Sequence, residues 1–234
     1  MKHNSGQSRM LVAVDCVIFG FDGQDLKLLL IKQNNGPQKN KWGLMSGWLQ
    51  PGEDFGEAAS RMLYELTGLE DAYLEQVSAF AAEPRQPKEN TVAVAYLSLL
   101  NINASQLQLN DQYQAQWISL QDLPGLIAGQ VRMVEAALER LRYKAAIHPL
   151  LFELLPAKFT IPQLQILYEA IYDSIFDKRN FSRKILSTNL LVKQKDKEKL
   201  SSKRGAFYYK LNKRRYSATF NAFLHFVADP GDLK

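Results

Sequence analysis

The chain has 234 residues, 46% hydrophobic and 23% charged, with 13 Gly and 9 Pro; this supplies one sizeable core and a smaller second one, and excludes collagen-like, low-complexity and disordered classes. No run of 18 apolar residues is present and Met1 to Arg9 lack the apolar stretch of a secretory signal, so a cytoplasmic protein without a membrane span is expected. The net charge of +5 is lopsided: residues 1–150 carry 13 Lys and Arg against 16 Asp and Glu, which is −3, and residues 151–234 carry 16 against 8, which is +8, the imbalance of a C-terminal third that meets a polyanion.

In chain order, Leu11 to Phe21 reads as a strand, Asp22-Gly23 as a turn and Leu26 to Lys32 as a second strand. Cys16, the single cysteine, sits in the first of these as a core thiol. Asn34 to Asn40 is a loop, and Trp42 to Leu49 a short apolar segment closed by Gln50-Pro51-Gly52. Ala58, Ala59, Met62, Leu63 and Leu66 recur at helical spacing, which predicts a helix over Glu57 to Thr67 with Gly68 as its C-terminal cap. Strands follow at Tyr73 to Ala82, Thr91 to Leu100 and Ala115 to Ser119, then a helix over Gln130 to Tyr143. His148-Pro149 and Leu155-Pro156 mark a boundary near 145–157, giving domains 1–150 and 151–234.

The basic third opens with Thr160 as a cap and Pro162 in the first turn of a helix whose inner face is Leu164, Leu167, Tyr168 and Ile171. Asp177 caps a second helix, Lys178 to Leu186, with Phe181, Ile185 and Leu186 inward. Two helices joined by a short turn form a helix-turn-helix pattern. Leu190 to Val192 and Ala206 to Leu211 read as strands flanking a charged tip, Lys193 to Arg204.

The run Gly47 to Leu69 resembles the Nudix box, G-x5-E-x7-R-E-U-x-E-E-x-G-U with U apolar: Gly47, Glu53, Arg61, Leu63, Glu65, Gly68 and Leu69 match at the correct spacing, over a domain of roughly residues 9–145. The resemblance implies cleavage of nucleoside diphosphate compounds by divalent cations held on three glutamates, since hard cations need several oxygen ligands. Two of those three positions are Met62 and Leu66, leaving Glu65 with the outlying Glu53. The expectation is a domain that has kept its pocket and lost its reaction: not an enzyme, no metal, no cofactor. Arg61 and Glu65 then survive as an ion pair. The alternative is a Nudix hydrolase of ADP-ribose or another nucleotide sugar with an added nucleic-acid-binding domain.

A Nudix-like unit followed by a basic helix-turn-helix resembles the Nudix-related transcriptional regulators of the NrtR family, and Phe159 to Leu186, with its D-x-R-N-F-x-R-K helix start, carries that resemblance. It implies an α+β protein: a Nudix-like α/β/α sandwich followed by a C-terminal winged helix-turn-helix. The family geometry makes Arg179, Asn180, Ser182 and Arg183 candidates for contact at or near bases, with Lys184, Lys203, Arg204 and Lys213 reaching phosphates and Lys178 facing outward as a further DNA-binding residue. Asn180 either reads adenine or braces the turn. The pocket polar groups are Asp15, Lys32, Lys41, Ser46, Glu65, Glu83 and Arg85, with Gly47 in the box and Trp42 and Trp48 as flat walls. That set suits a sugar, and an AraR-like branch of the family implies arabinose. The resulting expectation is a homodimeric repressor that binds double-stranded operator DNA and is released by a sugar, in carbohydrate metabolism.

Overall fold

The computed structural model describes residues 10–34, 38–82, 90–104, 107–198, 205–212 and 214–215. β1 (Met10–Phe21) and β2 (Leu26–Lys32) form a hairpin. Its turn is held by Asp22, whose Oδ1 accepts the N–H groups of Gln24 and Asp25 at 2.9 and 2.8 Å while Lys27 closes on Oδ2. The single segment expected over Trp42 to Leu49 is split into β3 (Trp42–Gly43) and β4 (Met45–Trp48). Leu44 between them donates its N–H to the Gln130 side chain at 3.0 Å, an interaction invisible to local periodicity. β4 lies antiparallel to β1, with Asp15 opposite Ser46 and Val14 opposite Gly47.

α1 (Phe55–Thr67) begins two residues before the expected start. Asp54 caps it: its carboxylate accepts the Glu57 N–H, and the Glu57 carboxylate accepts the Asp54 N–H, both at 2.8 Å, a reciprocal pairing that satisfies two otherwise orphaned donors. Gly68, at φ 69°, ends the helix by donating its N–H to the Tyr64 carbonyl. β5 (Tyr73–Ala82), β6 (Asn90–Asn101) and β7 (Gln116–Ser119) complete a mixed sheet ordered β3-β2-β1-β6-β5, with β4 added to β1 and β7 to β2. Ala13 to Phe21 of β1 are buried on both faces, and α1 buries Ala58, Ala59, Met62, Leu63 and Leu66. Cys16 is fully buried there, and burial, reinforced by the Asp15 charge, pushes its thiol up to about 12.

α2 (Gln130–Ile147) outlasts the expected end at Tyr143. The chain divides into two compact units inside this helix, between Ala137 and Leu138, with the hairpin segment Phe19–Lys27 grouped in the second unit. Within the second unit, Arg142 donates Nε–H to the Ile171 carbonyl at 2.7 Å and accepts, on its own carbonyl, the Tyr172 hydroxyl at 2.8 Å.

In the second unit, β8 (Phe159–Thr160) leads into α3 (Ile161–Tyr172), α4 (Lys178–Ser187), β9 (Leu191–Glu198) and β10 (Ala206–Leu211). Thr160 and Gln163 form a second reciprocal cap and Pro162 stands in the first turn of α3. Tyr168 is buried on α3, with its ring edge-on to Phe181 of α4 at 5.6 Å. The strands form a three-stranded sheet ordered β8-β10-β9, so helix, turn, helix and hairpin together make a winged helix. Lys193 to Glu198, expected in a charged tip, belong to β9, because Phe207 of β10 pairs with Lys197. Among the described residues no helix is long and apolar enough to cross a membrane.

Candidate ligand site and nucleic-acid interface

The Nudix-like segment builds its polar centre on Arg61 of α1. The guanidinium donates from Nε and Nη2 to the two Glu53 carboxylate oxygens at 2.7 and 3.0 Å, from Nη1 to Glu65 at 3.4 Å and from Nη2 to the Trp48 carbonyl at 3.3 Å. This fork holds the Glu53 carboxyl below its ordinary range, and Glu53 in turn raises the arginine further. Glu65 also accepts the Tyr113 hydroxyl at 3.3 Å; burial first, then the Glu65 charge, pushes that phenol up. The expected ion pair between Arg61 and Glu65 is therefore present, but the shorter partner is Glu53.

The side chains of Met62 and Leu66 contribute no hydrogen bond or ion pair to this centre. Both are essentially fully buried, and the Met62 sulfur occupies the space beside Gly47: a β-carbon at Gly47 would lie 2.6 Å from it. A methyl group there would collide, so glycine at position 47 is what admits the thioether. The donor set does not fit the divalent cation of the Nudix hydrolases. Glu53 and Glu65 are engaged by one guanidinium, the two remaining ligand positions are apolar, and the described residues contain no group of three His, Cys, Asp or Glu able to hold a metal ion.

A groove of about 600 Å³ lies beside the Arg61 centre, lined by Met10 to Val12 of β1 and by Trp48 to Glu53. Met10, Leu11 and Trp48 are 54, 39 and 40% exposed there, so apolar surface meets a carboxylate-guanidinium pair. Of the expected pocket residues, Trp48 lines this groove, Gly47 precedes it on β4, and Glu65 joins it through Arg61. Asp15 does not line it: its side chain is buried and accepts the Gln130 amide at 3.1 Å. Ser46 stands opposite Asp15 on β4. Lys32 and Trp42 pair across β2 and β3, with the ammonium 5.8 Å from the indole centre, and the Lys41 side chain is exposed. Glu83 and Arg85 lie outside the described residues. Met10, Leu11, Tyr113 and Gln130 were not foreseen, since no local pattern links β1 or α2 to the box.

On the winged helix, Asp177 caps α4 by accepting the Asn180 N–H at 2.8 Å. The preceding turn is shaped by Glu169, which accepts the Phe176 N–H and the Gln165 amide, each at 2.9 Å. Phe181 and Ile185 face inward, leaving Lys178, Arg179, Asn180, Arg183 and Lys184 exposed and Ser182 half-buried. Arg183 donates from Nη2 to the Asn180 side-chain oxygen at 2.9 Å. Lys203, Arg204 and Lys213 lie outside the described residues.

Residues 9–137 match the NUDIX domain family, and residues 151–211 match the NrtR DNA-binding winged helix domain. The chain is 31% identical over 220 residues to the ADPR responsive transcriptional repressor NtrR of Acinetobacter baylyi, covering 92% of this chain and 88% of that protein. It is similar to the crystal structure of Shewanella oneidensis NrtR complexed with a 27mer DNA, with TM-score 0.74 and 28% identity over 86% of this chain and 93% of the other. Its N-terminal domain is 28% identical over 125 residues to the ADP-ribose pyrophosphatase of Methanocaldococcus jannaschii, covering 53% of this chain and 70% of that enzyme. This last similarity overturns the expectation that the chain is not an enzyme: a hydrolase shares the domain, and the exchange of two carboxylates does not decide hydrolysis. A NUDIX domain over half the chain, a DNA-binding winged helix behind it and full-length similarity to one regulator together place this protein in the NrtR family.

Proposed function

We propose that this chain is a transcriptional repressor that binds operator DNA through α4 and the strands behind it, and releases it when the Nudix domain takes up ADP-ribose. The observation that carries this reading is the similarity across both domains to a repressor named for its response to ADPR. The groove supports it, because about 600 Å³ falls within the ~300–1,000 Å³ range of small-molecule sites and the exposed Trp48 face suits a planar base. L-Arabinose, the effector implied by the AraR-like resemblance, is the second reading; the relatives favour ADP-ribose over it.

On DNA, α4 enters the major groove with Arg179 and Arg183 at base edges, where a guanidinium reads guanine through two hydrogen bonds. Lys178 and Lys184 reach flanking phosphates. The protein acts as a homodimer, because helix-turn-helix regulators read half-sites about 34 Å apart or a multiple of it, and an effector that shifts two winged helices out of that spacing lowers affinity. The effect cannot exceed the effector's differential affinity for the two arrangements.

The test is a duplex selected from a random pool by the purified protein, followed by anisotropy titrations with ADP-ribose and with L-arabinose while consumption of each compound is measured. Release by ADP-ribose alone supports the proposal. Release by arabinose alone replaces the effector, and failure to select any duplex removes the DNA-binding reading.

A further inference from the structure

The wing carries an irregularity with a chemical result. Phe207 of β10 pairs with Lys197 of β9, and Tyr209 with Lys193. Three residues of β9, Gln194, Lys195 and Asp196, thus stand opposite Tyr208 alone, which is a bulge in the pairing. The bulge gathers Lys193 and Lys197 about the same aromatic ring: their ammonium nitrogens lie 3.6 and 4.4 Å from the Phe207 centre.

Two cations held this close repel each other, and the negative face of the ring offsets only part of that. Neither ammonium makes an ion pair with a carboxylate among the described residues. Asp196, the acidic residue of the bulge, is taken by Lys158 at 2.6 Å. The Lys197 stem is also positioned from below: Gly205, at φ 67°, leaves room for it, and a β-carbon there would lie 3.3 Å from the Lys197 β-carbon and 2.7 Å from the Glu198 carbonyl. The two nitrogens, 3.6 and 4.4 Å from one ring centre, are at most about 8 Å apart, a span that one phosphate group can bridge by accepting a charge-assisted hydrogen bond of about 2.8 Å on each of two oxygens.

We propose that Lys193 and Lys197, held together over Phe207 by the β9 bulge, form a seat for one phosphate of the DNA backbone. The site rests on the DNA-binding reading above and deepens it: the wing contributes one discrete contact shared by two lysines rather than a diffuse basic edge. Arg183 and Arg179 supply sequence; this seat supplies register, since a phosphate contact fixes position without reading bases.

The test uses the full-length protein and a random-sequence duplex, with affinity followed by fluorescence anisotropy across a series of salt concentrations. Each neutralised phosphate contributes about 0.9 to the slope of log affinity against log salt. Lys193→Gln, Lys197→Gln and the double variant should therefore each lower the slope by about 0.9 per protomer, about 1.8 for the homodimer, because all three empty the same seat. Phe207→Leu, which keeps both charges but loosens their placement, should weaken binding roughly twofold to fivefold. An additive loss in the double variant, about 1.8 per protomer and about 3.6 for the homodimer, would mean two separate contacts and overturn the shared seat. So would a loss from Lys195→Gln equal to that from Lys193→Gln. If the wild-type protein binds and the double variant keeps its slope, the seat alone fails; if the wild-type protein binds no duplex, the DNA-binding reading falls and the seat with it.

Discussion

Arg183 shows how one side chain can be both ready and restrained. Its hydrogen bond to Asn180 holds the guanidinium along α4, so under the proposed docking less rotamer freedom would be lost on reading a base. Replacing it with alanine should cost about 1–3 kcal/mol of operator affinity and relax preference at one base pair, measured by anisotropy on the selected duplex. Asn180→Ala should cost less, and the double variant should fall short of the sum, because each residue acts partly through the other. The Asn180 N–H donates to the cap residue Asp177, and its side-chain oxygen accepts from Arg183. Glu53 allows a pH test. Arg61 holds its carboxyl below the ordinary value of 4.5, so the pair stabilises the fold above that value and the contribution is lost as pH falls through the lower folded value. Thermal unfolding of wild type and Glu53→Gln should differ at neutral pH and converge in acid; a gap that persists at low pH would assign the effect to packing instead.

At the scale of elements, what could be read in advance was whatever is written locally. The helix at the box, the Thr160 cap and the inward Phe181 and Ile185 follow from spacing and capping chemistry. The split between β3 and β4 does not, because its cause is Gln130, 86 residues away in sequence. The burial of Asp15 is hidden for the same reason: it alternates like any strand residue, and its bond to Gln130 shows that it turns into the core. Gln130 is the first residue of α2 and is 5% exposed, with one side-chain atom on Leu44 and the other on Asp15. Its replacement by alanine strands a buried donor and a buried carboxylate, which should destabilise the protein by about 1–3 kcal/mol, visible as a lower midpoint in urea. Gln130→Glu retains the acceptor for Leu44 but sets a carboxylate against Asp15, and should be worse. The extension of β9 was also illegible, since a run of alternating lysines reads as solvent-facing until Phe207 is set beneath it.

For the whole molecule, the two compact units predict unfolding that is not strictly two-state. A ligand of the N-terminal domain should raise the transition of that unit first. ADP-ribose at about one hundred times its dissociation constant should add about 2.7 kcal/mol by mass action, measured as a calorimetric shift, with L-arabinose run beside it. A shift with arabinose and none with ADP-ribose would reassign the effector without touching the DNA-binding half. Charge was the most legible feature at this scale: residues 151–234 carry +8, and among the described residues α4 exposes Lys178, Arg179, Arg183 and Lys184 while β9 and β10 expose Lys193, Lys195, Lys197 and Lys210.

The Met62 sulfur beside Gly47 also constrains what position 62 can hold. Reinstating an acid at position 62 by a single exchange would push a carboxylate into a dry crevice against β4, where the sulfur now sits, and an unpartnered ion there is heavily penalised. Met62→Glu should therefore lower the stability of the Nudix domain, visible as a lower midpoint in urea.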